Sequence, residues 1–172
     1  MKKWAIQIAL LLSLTVQAEI GSISELRGLG EVVRQGTTDK LLAELALGIS
    51  SYDDVRTGNG RMAIEFLDSS VVRLTEHSKI IIDDFVYDPD PNKSKLALSM
   101  ASGTARFITG RLAGIKKENI FIRTPSATIG IRGTDFTTTV DELGRSLVIL
   151  LPDAMGNASG EISVTTWSGT EI

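Results

Sequence analysis

The chain has 172 residues, no cysteine, a formal charge of −3, and side chains that are 42% hydrophobic but only 5% aromatic. That length suits one domain with a mainly aliphatic core, and the missing cysteines exclude disulfide staples and thiolate metal sites. A net acidic chain is poorly matched to nucleic acid, whose phosphates need a basic footprint.

The N-terminus has the order of a secretory signal. Lys2 and Lys3 are followed by an apolar run over residues 4–16 and then by Val16, Gln17 and Ala18. The expectation is a cleaved signal peptide at residues 1–18 and an exported domain at residues 19–172. The alternative, an uncleaved anchor, is too short: thirteen residues of helix do not cross a hydrocarbon core of ~30 Å. No later segment reaches ~18 consecutive apolar residues, so no membrane span is expected after cleavage. Cleavage removes Lys2 and Lys3 and no acid, which moves the formal charge from −3 to −5. The predicted location is the periplasm or the exterior.

Beyond the signal, short β-type segments recur, broken by many of the sixteen glycines. Residues 39–48 (DKLLAELALG) fit a short helix capped by Asp39, or a strand, equally well. Asn59-Gly60 is a hairpin signal. After it, Met62, Ile64 and Phe66 alternate with Arg61, Ala63 and Glu65, the period of a half-buried strand. A turn at Asp68, Ser69 and Ser70 leads to Val72 and Leu74 on the same face. Residues 80–82 are all isoleucine, a β-branched run that helices disfavour. The two prolines within residues 88–92 mark a loop. Alternation resumes at Leu96, Leu98 and Met100, at Ile120 and Ile122, at Ile129 and Ile131, and at Ile162 and Val164. Residues 137–140 continue the series. Residues 147–151 are apolar throughout, as in a strand buried on both faces. Residues 55–66 faintly echo residues 122–131. The expected fold is therefore all-β, its short strands in a solenoid-like or sandwich arrangement.

Two stretches carry a family resemblance. Asp54-Val55-Arg56-Thr57-Gly58, followed by residues 63–74 with their turn at Asp68, resembles the first half of the FecR domain. Residues 121–136 contain Thr124-Pro125, then Ile129 and Ile131, then Arg132-Gly133-Thr134-Asp135-Phe136, and resemble its most distinctive part. The resemblance spans about residues 21–165. Ser69 stands where the family usually has glycine. The resemblance implies a periplasmic domain that works by binding. In full regulators of this family the domain follows a sigma-factor-binding cytoplasmic segment and a membrane helix. Neither is recognisable here, so sigma-factor regulation is not expected. The motif residues Thr57, Gly58, Asp68, Thr124, Pro125, Arg132, Gly133, Thr134 and Phe136 are expected to be structural. Pro125 makes a rigid corner by holding Thr124 extended. Arg132, set between apolar positions, is expected to satisfy carbonyls or a carboxylate such as Asp135 within the corner, or alternatively to clamp a ligand carboxylate.

The sequence offers no complete catalytic or metal constellation. His77, the only histidine, lies beside Glu76 in a predicted turn, with no ligand spacing around it. There is no Gly-x-Ser-x-Gly elbow and no Gly-x-x-x-x-Gly-Lys loop. Asp88, Asp90 and Asn92 open like a calcium loop, but Lys93 and Ser99 stand where the loop needs glycine and glutamate. The adjacent pairs Asp53-Asp54 and Asp83-Asp84 would face opposite sides of a strand. No cofactor, metal or catalytic residue is expected. The leading function is an interaction module for an envelope protein or a glycan, with strand addition at a sheet edge as its mode. The alternative is a secreted carbohydrate-active or hydrolytic β domain using carboxylates. A third reading, a fragment of a longer envelope protein, rests on the absence of a clear terminator before Ile172.

Overall fold

The computed structural model describes residues 18–88, 90, 92–110, 119–133, 135–153, 155–157 and 160–169. The expected signal peptide, apart from Ala18, lies outside these residues, as do Pro89, Pro91, Thr134, Ala158, Ser159 and Ile172. The fold is all-β. The described residues form β1 (Glu19–Val33), β2 (Lys40–Leu42), β3 (Gly48–Ser50), β4 (Asp54–Phe66), β5 (Val71–Leu74), β6 (Lys79–Val86), β7 (Lys95–Ile108), β8 (Ile120–Arg123), β9 (Ala127–Arg132), β10 (Phe136–Val140), β11 (Ser146–Leu150) and β12 (Glu161–Thr166).

All twelve strands belong to one hydrogen-bonded sheet, with a main path β12-β9-β8-β7-β5-β4-β1-β2. The three long strands change neighbours part-way along. β7 pairs with β6 and β8 over its first half and with β5 and β10 over its second. β4 passes likewise from β6 to β5, and β1 pairs with β3 near its start and β2 near its end. Such exchanges turn a sheet through a corner. One apolar cluster takes side chains from both halves, including Ile80, Ile82 and Leu98 from one and Ile64, Val72 and Leu74 from the other. Phe66 and Phe85 stack across the halves at 5.2 Å. The sheet thus folds over its own core, through a line of bends and not through stacked repeats.

The bend line explains why Asn59-Gly60 makes no hairpin. β4 runs straight through it, because β1 bulges between Gly28 and Gly30 and Gly28 pairs directly with Gly60. A side chain at Gly60 would overlap the β1 backbone at Arg27 and Leu29, so glycine serves close approach here and not a turn. The faint echo of residues 55–66 in 122–131 is accordingly no structural repeat: the first stretch is one bent strand, the second two strands around a turn.

Residues 39–48 form no helix. β2 and the following loop are tied to β1 instead, through Ala43 N–H to Gly30 O (2.9 Å), Ala46 N–H to Ile23 O (2.9 Å) and Ile23 N–H to Leu47 O (3.0 Å). The run at residues 147–151 also differs from expectation. β11 pairs only with β10, leaving Leu147 59% and Ile149 48% exposed. Among the described residues it is an edge strand, and its unbroken apolar pattern leaves alternate side chains in the open.

Candidate functional site

Five of the motif residues, Thr57, Gly58, Asp68, Thr124 and Pro125, occupy three separate hydrogen-bond networks. Thr57, in β4, donates its hydroxyl to Thr75 O (2.6 Å) and accepts from Ser78 N–H (2.9 Å). Ser78 in turn bonds Thr104 on β7 through both its donor and its acceptor (3.1 and 3.0 Å). Gly58 O accepts from His77 N–H at 3.1 Å. This network joins β4, the β5–β6 turn and β7 at the bend. His77 is exposed in that turn, with φ at 54°.

Asp68 is fully buried and accepts from both the N–H and the hydroxyl of Ser70, whose oxygen also accepts from Gly110 N–H (2.9 Å). Ser69 adopts φ 65°, the left-handed conformation that suits the glycine usual there in the family. The third network surrounds Thr124. Its hydroxyl bonds Ala127 and accepts from Ser146 on β11 (2.7 Å), while Trp167 Nε1 donates to Pro125 O (2.6 Å).

Ile129 and Ile131 point into the core from β9, and Arg132 faces the other way. Phe136 is fully buried and stacks on Phe107 at 4.8 Å. Gly133 has φ 58°, and Thr134 lies outside the described residues. Arg132 departs from its expected role. Its side chain is exposed, 4.0 Å from Glu161, because an even position of β9 faces outward; Asp135 bonds Arg106 instead (3.0 Å). Truncating Ile131 to Ala is expected to cost about 2–5 kcal/mol, the range for a buried aliphatic. Urea denaturation beside an exposed control, Lys93→Ala, measures it; equal midpoints would show that β9 is not part of the stable core.

These networks fix corners, and Thr57 and Gly58 also line a hollow of about 390 Å3 beside Leu29 and Leu42. A larger one lies elsewhere. A groove of about 730 Å3, within the size range of ligand sites, opens across β1, β4, β5, β7 and β10. Arg27, Arg61, Arg73 and Arg106 line it, with Ser24, Glu25, Thr75, Thr104 and Thr137. Leu26, Met62 and Leu74 lie in its floor with their side chains turned to the core, and the exposed Leu45 stands at its side. The register explains this gathering. Arg27 pairs with Arg61, Arg73 with Arg106, and Arg106 with Thr137, and residues directly opposite in an antiparallel pair share a face. Arg73 bonds Glu25 (2.7 Å) and holds that carboxyl below its ordinary value. Arg61 sits 3.7 Å from Glu76. Arg27 has no hydrogen-bond or ion-pair partner among the described residues.

Acidic groups elsewhere are mostly tied down. Asp54 bonds Arg56 and Lys79, Asp83 bonds Ser99 and Arg123, and Asp84 bonds Lys95. In the loop at residues 88–92, Asp88 caps the Asp90 N–H (2.8 Å) and Asp90 the Asn92 N–H (3.0 Å), so these oxygens organise the loop itself. Among the described residues no three of His, Cys, Asp or Glu converge. Burial pushes the Asp53 carboxyl up from its ordinary value against the pull of Ser50 N–H and Arg34, and its side chain is wholly enclosed.

The described residues thus form an all-β domain with an arginine-lined groove on one face of its sheet. A family model described as FecR protein matches residues 53–153, more than half of the chain, and the chain belongs to the FecR family, whose members are envelope-associated regulatory proteins. Neither the curated proteins nor the solved structures contain a match.

Proposed function

We propose that this chain is an exported FecR domain of the periplasm that acts by binding another component of the envelope, a protein in preference to a glycan, and catalyses no reaction. The observation that carries the reading is the arginine groove: four guanidinium groups gathered on one face of a chain whose net charge is negative. The signal-like N-terminus supports export. The carboxylate chemistry of a hydrolase has less support. Such an enzyme needs an acid with a raised pKa facing a cleft. Among the described residues Asp53 is the acid that is pushed up, and it is buried beneath Arg34, away from the groove. The motif residues Thr57, Gly58, Asp68, Thr124, Pro125, Gly133 and Phe136 then serve as the frame that holds the groove's strands in register.

The test is affinity capture from envelope extract by the purified chain. A discrete envelope protein should be retained at low salt, released as salt rises, and lost with Arg73→Ala/Arg106→Ala. Hydrolysis of envelope glycans, abolished by substituting one acid, would overturn the reading.

A further inference from the structure

The arginine pairs are hard to explain by stability. Like charges directly opposite on adjacent strands are destabilising, and here two such pairs, Arg27 with Arg61 and Arg73 with Arg106, lie side by side on one face. Glu25, Glu76 and Asp135 offset part of that charge from the rim. Arg27 makes no hydrogen bond or ion pair among the described residues and feels Glu25 only at longer range. A surface that tolerates such repulsion is organised for an anion that arrives from outside.

We propose that the groove takes an extended segment of a partner protein that carries both acidic and apolar residues. This deepens the interaction reading and rests on it. The spread of charge argues against a single small anion. From β1 through β4 and β5 to β7 is three strand steps of about 4.8 Å, so the guanidinium row covers about 14 Å. One carboxylate or phosphate cannot meet both ends. About four residues of extended chain at ~3.3 Å each do.

The lining argues for a peptide over an acidic glycan. Leu45 stands exposed at the side of the groove, and a sugar chain brings no aliphatic side chain to meet it. The same face then continues past Thr137 to Ile149, and past Thr139 to Leu147, on the edge strand β11. These two exposed side chains set an apolar patch beyond the last arginine. Guanidinium groups suit the carboxylates of such a segment, since they bind them in bidentate fashion.

The experiment is fluorescence anisotropy with the chain and a short labelled peptide of alternating glutamate and leucine. Binding should weaken with salt and fall about tenfold in Arg73→Ala/Arg106→Ala, two partly exposed charges together accounting for that factor. A lysine-for-glutamate peptide should not bind, and a serine-for-leucine peptide should bind more weakly. Because Arg73 and Arg106 also hold Glu25 and Asp135, Arg27→Ala is the second variant; it breaks no described hydrogen bond or ion pair and should weaken binding too. Three results overturn the proposal: no peptide binding by the unsubstituted chain, equal binding by all variants, or displacement by an acidic oligosaccharide or inorganic phosphate in preference to the peptide. If envelope capture succeeds while the peptide fails, this inference falls and the interaction reading stands. If the peptide binds and hydrolysis is also found, the reading falls instead.

Discussion

Arg34→Met should destabilise the protein by about 3–5 kcal/mol at neutral pH, because it leaves a buried charge without its partner. Asp53 is completely enclosed, just before β4. One of its oxygens accepts from Arg34 and from Ser50 N–H (2.8 Å); the other has no hydrogen bond. Arg34 reaches further to Gly48 O (2.7 Å), so the pair ties the end of β1 to β3 and to the start of β4. Burial raises the folded-state pKa of Asp53 above its unfolded value, and removing Arg34 raises it further. A raised acid contributes most to stability below its unfolded pKa, about 4, and that contribution is lost as pH rises through the folded value. The deficit of Arg34→Met should therefore be largest at pH 7 and narrow toward pH 4. Glu25 and Asp141 behave in the opposite sense. Hydrogen bonds from Arg73 and Arg145 hold them below their ordinary values, so their contribution is lost as pH falls. Both are unchanged by the substitution, and comparing denaturation of the two proteins at each pH isolates Asp53. Adding Asp53→Asn to the variant should restore part of the loss. A deficit that grows toward acid would sink the account.

What the sequence made legible was local. Ile129 and Ile131 alternate with exposed positions, and their burial follows from period two alone. Phe136, an aromatic in a chain with few, takes a central place in the core. Pairing partners far apart in sequence left no such trace. Arg73 meets Glu25 across 48 residues and faces Arg106 across a strand boundary, so the groove exists only once the register is known. Each arginine alone reads as an ordinary solvated position. Asn59-Gly60 misled for the same reason. The dipeptide suits a hairpin, and only the facing bulge of β1 shows that its glycine makes room for another backbone. Residues 147–151 have the composition of a covered strand, but coverage depends on which strands lie beyond β11, and composition does not carry that.

Gly103→Ala should cost about 3 kcal/mol or more, against about 1–2 kcal/mol for Gly156→Ala. Both glycines have positive φ, 88° and 84°, so each substitution carries the same left-handed penalty. Their surroundings differ. Nothing lies within 4 Å of the side-chain position at Gly156, whereas at Gly103 a methyl group would overlap the backbone and hydroxyl of Ser78. Ser78 cannot give way cheaply. Its N–H is held by Thr57 (2.9 Å), its hydroxyl oxygen by Thr104 N–H (3.0 Å), and its carbonyl accepts from Thr57 N–H (3.0 Å). Moving it would strand buried donors at the point where β7 exchanges β6 and β8 for β5 and β10. The groove lies on the far side of that exchange and includes Thr104, so Gly103→Ala should also weaken binding there while Gly156→Ala leaves it unchanged. Urea denaturation of the two variants separates the contributions, since the φ penalty is common to both. If they lose the same stability, the contact with Ser78 is not what fixes the bend, and the Thr57–Ser78–Thr104 network is an accompaniment of the corner rather than its cause.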